Sequence, residues 1–231
     1  MELLEYRQVF KSYGEKEVLK NVNLVIPRGK IIGLLGKNGS GKTTLIKLAN
    51  DLLTPDKGEV LINGKKPAVE SKQIVSYLPE RTYLEKEMTI YQVFHFFEEF
   101  YSNFDRKIAE KLVKDLDLDL HQKLVKMSKG MQEKLQLVLV MSRRAQLYIL
   151  DEPLGGVDPA TRDYILDTIL SNFSEGASVI LSTHLIADIE RILDEVIFIE
   201  KGQIILTSPA DKLREQEQSS IDEIFRRRFK C

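Results

Sequence analysis

The first third of the chain alternates short apolar runs with polar turns. Leu3 to Val9 read as a strand, Tyr13 and Gly14 sit in a turn, and Val18 to Ile26 read as a second strand. Pro27-Arg28-Gly29-Lys30 then turns the chain into an apolar run from Ile31 to Leu35. Strand, turn and strand at this spacing predict an antiparallel β subdomain. The next stretch breaks into glycines and resumes as a helix, with Leu45, Leu48, Ala49, Leu52 and Leu53 at helical spacing. After a turn at 54–58, Glu59 to Ile62 read as a strand closed by Asn63-Gly64, a strong hairpin signal. Ile74 to Leu78 give another strand, ended by Pro79.

From Met88 to Arg144 the pattern becomes helical. Thr89 would cap a helix carrying Val93, Phe94, Phe96, Phe97 and Phe100. Asp105 would cap one with Ile108, Leu112, Val113 and Leu116, and Ser128 a third with Met131, Leu135, Val138 and Leu139. The aromatic cluster at 91–104 is read as the core of a helical subdomain in preference to an exposed docking face. An α/β rhythm then returns. Leu147 to Leu150 are a buried strand, and a helix starts at Asp158-Pro159, an N-cap followed by proline. Ser178 to Ser182 are a strand and Leu185 to Leu193 a helix. Val196 to Ile199 and Gln203 to Leu206 form a hairpin over Lys201-Gly202. The expected architecture is α/β over residues 1–231, with a helical insertion at about 82–145 and a helical tail at 207–231.

With 231 residues the chain can bury a sizeable core. The 34 Lys+Arg against 35 Asp+Glu leave a net charge of −1, which argues against a surface built for nucleic acid. The single cysteine, Cys231, permits no intrachain disulfide and fits a reducing cytosol. The start Met1-Glu2-Leu3-Leu4-Glu5 lacks the features of a signal peptide. No apolar run approaches the roughly 18 residues of a membrane span. A soluble chain is expected.

One stretch carries chemistry by itself. Gly36-Lys37-Asn38-Gly39-Ser40-Gly41-Lys42-Thr43, followed by Thr44, fits G-x-x-x-x-G-K-S/T at every fixed position, between a strand and a helix. Such a loop wraps a phosphate in backbone N–H groups, which bulky side chains would obstruct. The helix N-terminus adds its positive dipole end to the same anion. Lys42 would reach the β- and γ-phosphates of a nucleoside triphosphate, and the Thr43 hydroxyl would ligate Mg²⁺. The loop alone does not separate a kinase from a GTPase or an ATPase.

A second stretch narrows the choice. Leu147-Tyr148-Ile149-Leu150-Asp151-Glu152 is an apolar strand ending in two acids. Asp151 would hold Mg²⁺, and Glu152 would orient and deprotonate the attacking water.

These residues resemble the ATP-binding cassette (ABC) family over nearly the whole chain. Gly36 to Thr43 match its Walker A motif within a P-loop NTPase (RecA-like) core, and Leu147 to Glu152 its Walker B motif with the catalytic glutamate. Ser128-Lys129-Gly130-Met131-Gln132 looks like the family signature LSGGQ. Leu154-Gly155-Gly156-Val157-Asp158 is similar to the D-loop, Ser182-Thr183-His184 to the switch histidine, and Tyr13 to the aromatic residue that stacks on adenine.

The resemblance implies two cassettes facing head to tail, each ATP lying between the Walker A of one and the signature of the other. Ser128, Gly130 and Gln132 would then meet the partner's ATP, together with Asp158. His184 would bond the γ-phosphate and help Glu152 set the water. Three departures stand out. Lys129 replaces the first signature glycine, and Met131 stands where the core LSGGQ ends before Gln132; Lys129 either adds charge near the phosphate or points to solvent, the latter being favoured. Glu80 replaces the Q-loop glutamine and would still contact Mg²⁺. Gly155 replaces the D-loop serine.

Tyr-Leu-Pro-Glu at 77–80 and Ser-Lys-Gly-Met at 128–131 look like cassettes of bacterial exporters of peptides, antibiotics or lipid-linked substrates. The implied partners are a second cassette and a separate transmembrane permease subunit, which would hold this chain at the cytoplasmic face of the membrane. Arg81, Tyr83 and the helix near Phe94 are expected to face the permease. Ile221, Ile224 and Phe225 share one helical face before Arg226-Arg227-Arg228, which predicts a packed terminal helix in preference to a lipid contact. A soluble ABC ATPase acting on DNA or ribosomes is the alternative. One cassette with an insertion of ordinary size favours the transporter.

Overall fold

The computed structural model describes residues 2–155, 157 and 159–229, with only the backbone at 159 and 160. Met1, Gly156, Asp158, Lys230 and Cys231 therefore lie outside it, and with them the expectations for Asp158 as helix cap and as ATP contact.

In chain order the elements are β1 (Glu2–Tyr13), β2 (Lys16–Pro27), β3 (Ile31–Leu35), α1 (Lys42–Ala49), β4 (Lys57–Ile62) and β5 (Val75–Leu78). Then come α2 (Ile90–Phe100), α3 (Arg106–Asp115), α4 (Lys129–Met141), β6 (Leu147–Asp151), α5 (Pro159–Asn172) and β7 (Ser178–Ser182). The chain closes with α6 (Ile186–Ile189), β8 (Glu195–Glu200), β9 (Gln203–Pro209), α7 (Ala210–Glu217) and α8 (Ile221–Phe229).

Two sheets form. A six-stranded sheet runs β5-β6-β7-β3-β8-β9, parallel except for the antiparallel edge strand β9. Every residue of β3, β6 and β7 is buried. Their continuous apolar runs follow from that, since a parallel sheet covered on both faces gives neither face to water. One face packs on α1 and on the antiparallel sheet β2-β1-β4. Tyr6 of β1 ties these layers together, its hydroxyl donating to the Leu45 carbonyl of α1 at 2.9 Å. The helices α2 to α8 cover the other face.

All three helix starts in the middle block carry the expected caps. The Thr89 hydroxyl accepts from Gln92 N while Gln92 Oε1 accepts from Thr89 N, a capping box. Asp105 accepts from Lys107 N and Ile108 N, and Ser128 from Met131 N.

Four expectations need correction. Helix α1 ends at Ala49, and Asp51 beyond it has a φ of +56°, so Leu52 and Leu53 leave the helix and Leu52 is exposed. Asn63-Gly64 makes a turn followed by a single bridge, Ile62 to Lys65, because β4 pairs with β1 across the small sheet. The helix expected at 185–193 is only the short α6 and a 3₁₀ turn, Glu190–Ile192. Strand β9 continues to Pro209, so the helical tail begins at Ala210. In that tail Ile221, Ile224 and Phe225 are buried as expected, and Phe229 joins them. The arginines pair instead of standing free, Arg226 with Asp222 and both Arg227 and Arg228 with Glu217.

Candidate active site

Register in the large sheet brings the chemistry together. Ser182 at the end of β7 is opposite Leu34 of β3 on one side and Asp151 of β6 on the other. The phosphate loop leaving β3 and the acids leaving β6 thus emerge at the same carboxyl edge, where ligands of open α/β sheets bind.

The loop's glycines are sterically required. A Cβ on Gly36 would lie 2.4 Å from the Ile199 carbonyl oxygen, and Gly41 holds a φ of +113° with Leu19 at 2.8 Å from where its Cβ would be. Gly39 also takes a positive φ. The loop closes on itself through Ser40 N to Lys37 O at 3.1 Å, and the Ser40 hydroxyl is buried without a partner. Lys42 turns back across the loop, donating to the carbonyls of Gly36 at 2.7 Å and Lys37 at 3.3 Å. Burial pushes its pKa down, while the nearby Glu152 and Asp151 carboxylates oppose that shift.

Asp151 is buried, and its pKa is raised, first by desolvation and further by the charges of Glu152 and Glu80. Hydroxyls of Ser182 and Thr43 pull in the other direction. By geometry, however, neither its Oδ2 nor the nearby Ser182 Oγ closes a hydrogen bond, so the Ser182 hydroxyl acts on the carboxylate only as a neighbouring dipole. A desolvated carboxylate with a bare oxygen beside Thr43 and Glu80 is the donor chemistry that a hard divalent cation takes.

Glu152 has a φ of +54°, in the left-handed region. Its N–H donates to Ser182 O at 2.7 Å, and its carbonyl accepts from Gly155 N at 3.0 Å. The carboxylate Oε2 takes a bond from Thr183 Oγ1 at 3.1 Å and pairs with His184 Nδ1 at 2.9 Å.

These residues share one cleft of about 1170 Å³, lined among others by Tyr13, Lys42, Thr43, Glu80, Glu152 and His184. Asn38, Gly39, Gly41, Thr44 and Asp151 line it as well. Ser128 and Gly130, at the start of α4, do not, whereas Lys129 and Gln132 of the same helix do. Lys129 points to solvent, its side chain 85 % exposed and 3.5 Å from Glu133.

A family model described as ABC transporter matches residues 19–155. The chain belongs to the ABC transporter family. It binds ATP and hydrolyses it in a reaction coupled to transport. It is similar to the ABC transporter ATP-binding protein YtrB of Bacillus subtilis (strain 168), 33% identical over 93% of this chain and 74% of that protein. The lantibiotic transport ATP-binding protein SrtF of Streptococcus pyogenes is 30% identical over 90% of this chain and 92% of its own length. A solved ATP-binding subunit of an ABC transporter superposes with a TM-score of 0.88 at 29% identity, covering 96% of this chain and 98% of that one. The P-loop NTPase fold of the ABC family is thereby shown.

Two groups near this ABC site brace it: Gln132, expected from the sequence as an ATP contact, and Arg143, which the sequence did not single out. Gln132 turns its amide Nε2 onto the carbonyls of Leu124 and Met127, at 3.1 and 3.3 Å, so it also braces the turn before α4. Arg143 is 4% exposed. It donates to the carbonyls of Val75 and Lys72 and to Asn103 Oδ1, with its guanidinium 3.8 Å from the Tyr101 ring centre. Nothing in the local pattern around Arg143 distinguishes it from the adjacent Arg144.

A second groove of about 650 Å³ runs between α1, β5 and the helical block, lined by Lys47, Glu80, Arg81, Tyr83, Phe97 and Tyr101 among others. The aromatic helix proves two-sided. Phe94 and Phe97 are buried, whereas Phe96 and Phe100 are exposed, their tilted rings 4.4 Å apart centre to centre. Among the described residues no helix is long and apolar enough to cross a membrane.

Proposed function

We propose that this chain is the ATPase subunit of an exporter, working as a head-to-tail pair of cassettes beneath a separate transmembrane permease. The observation that carries the reading is the split of its chemistry. Tyr13, the phosphate loop, Asp151, Glu152 and His184 share one cleft; Ser128 and Gly130 are not in its lining and sit at the start of a 13-residue helix whose Lys129 and Gln132 do line it. A helix N-terminus favours an anion, so that end of α4 suits the γ-phosphate of a nucleotide held by a second cassette. The Ser128 hydroxyl accepts from Met131 N and keeps its own proton to donate.

Within the cleft the roles follow from chemistry. Tyr13, half exposed beside the loop, stacks on the adenine. Lys42 leaves its two carbonyls for the β- and γ-phosphates. Thr43, Asp151 and Glu80 hold Mg²⁺, which neutralises phosphate charge when bound. Glu152 takes a proton from the attacking water, and His184 contacts the γ-phosphate. Glu152 and His184 already hydrogen-bond each other, which supports a hydrolysis-competent site.

The permease docks in the groove beside Glu80, where Arg81, Tyr83 and Tyr101 present cationic and aromatic surface. Phe94 is fully buried, so the exposed Phe96 and Phe100 replace it as candidates on that helix. Docking there holds the chain at the cytoplasmic face of the membrane. The exported substrate is an amphipathic or antimicrobial peptide, a reading supported by the lantibiotic transport protein among the relatives. The test is purification from detergent-solubilised membranes. A polytopic membrane protein should co-purify, and vesicles holding both should take up such peptides with Mg-ATP. Recovery as a soluble homodimer bound to nucleic acid would overturn the reading.

A further inference from the structure

Glu152 is held by three consecutive residues, the last of β7 and the two that follow it. Ser182 takes its N–H, His184 pairs with its carboxylate, and between them Thr183 donates to the same carboxylate oxygen. Of the two side chains on the carboxylate, only Thr183 is immobilised. His184 is more than half exposed, whereas Thr183 is fully buried. A β-branched side chain is restricted at χ1.

The direction of the Thr183 bond is fixed as well. Its Oγ1 accepts the Leu185 N–H at 3.1 Å, and a carboxylate oxygen only accepts, so the single hydroxyl proton points at Glu152. This donor sits 31 residues from its acceptor and is tied to the backbone of the next loop. Glu152 meanwhile carries a left-handed backbone that a non-glycine residue keeps only when its surroundings over-determine it. Both anchors converge on Oε2 and restrain the carboxylate.

We propose that Thr183 is a positioning residue for hydrolysis, holding the Glu152 carboxylate in the orientation that takes the proton from water. This rests on the reading of Glu152 as the base. Thr183 acts through its bond to Glu152.

The experiment compares Mg-ATP turnover of the purified chain with that of Thr183→Val, Thr183→Ser, Glu152→Gln and the Thr183→Val/Glu152→Gln pair. Valine keeps the shape and removes the donor. Its kcat should fall about tenfold to a hundredfold, the cost of a misplaced catalytic group, with KM for ATP nearly unchanged. Serine restores the donor and should recover most of the rate. In the Glu152→Gln background the valine change should add no further loss. Wild-type kcat in Thr183→Val, or serine as impaired as valine, would overturn the proposal, as would an independent loss in the double variant. Wild-type turnover in Glu152→Gln would instead remove Glu152 as the base. Glutamine inactive with valine fully active leaves the base in place and sinks Thr183 alone.

Discussion

Lys42 Nζ lies 2.7 Å from the carbonyl oxygen of Gly36, so the lysine that ends the phosphate loop is bonded to the residue that opens it. The ammonium is mostly removed from water and its pKa is depressed by that burial. It is a charge kept at some cost to the fold, poised for a phosphate. Lys42→Ala should abolish productive ATP binding while leaving thermal stability within a few degrees of wild type. A titration with fluorescent ATP together with a melting curve checks both. Wild-type turnover in this variant would refute the assignment.

Asp151 sets a stability cost against function. An aspartate whose folded-state pKa lies above its ordinary 3.8 stabilises the fold only as the protonated acid. Stability is therefore lost as pH rises from that ordinary value through the elevated one. At neutral pH the buried carboxylate, with Oδ2 unbonded, is a cost. Asp151→Asn should raise the melting temperature of the nucleotide-free protein at neutral pH, with the gain shrinking toward acid pH. Mg-dependent hydrolysis should be lost in the same variant. Calorimetry across pH, with an ATPase assay, would show the two effects together.

Glu80 adds a further negative charge beside Asp151 and, after Glu152, contributes to raising its pKa. Removing that charge with Glu80→Gln should weaken cation binding, raising the Mg²⁺ concentration for half-maximal turnover severalfold. An unchanged Mg²⁺ dependence would take Glu80 out of the metal site.

Glu152→Gln should retain ATP and accumulate a closed dimer, since binding survives and the base is lost. Light scattering with and without Mg-ATP reads this as a shift from monomer to dimer mass. Monomer mass under both conditions would mean that two copies of this chain do not form the sandwich unaided.

Arg143 joins β5 to the helical block. Its pKa is lowered to about 10 by burial, with Tyr101 and Tyr83 opposing the shift. Arg143→Leu would leave the carbonyls of Val75 and Lys72 without this donor and remove the contact with Tyr101. The expected loss is about 3 kcal/mol, as for breaking a buried charged network. A urea melt would measure it.

Features that depend on neighbours along the chain are legible before any folding is considered. The period of apolar residues marked β3, β6 and β7, because strands buried on both faces leave continuous apolar runs. Side-chain caps marked the starts of α2, α3 and α4, because Thr89, Asp105 and Ser128 bond N–H groups within three residues of themselves. The phosphate loop and the acid pair were legible for the same reason. Tertiary structure decided what depends on partners far away. Asn63-Gly64 had hairpin chemistry, yet β4 found its partner in β1. Phe94 and Phe96 read alike in a helix, but packing buried only the first. Neither the grip of Thr183 on Glu152 nor that of Arg143 on Lys72 leaves a local pattern, since the partners are 31 and 71 residues apart. Such contacts arise when folding brings separate strand ends to one edge of the sheet, and no periodicity along the chain records them.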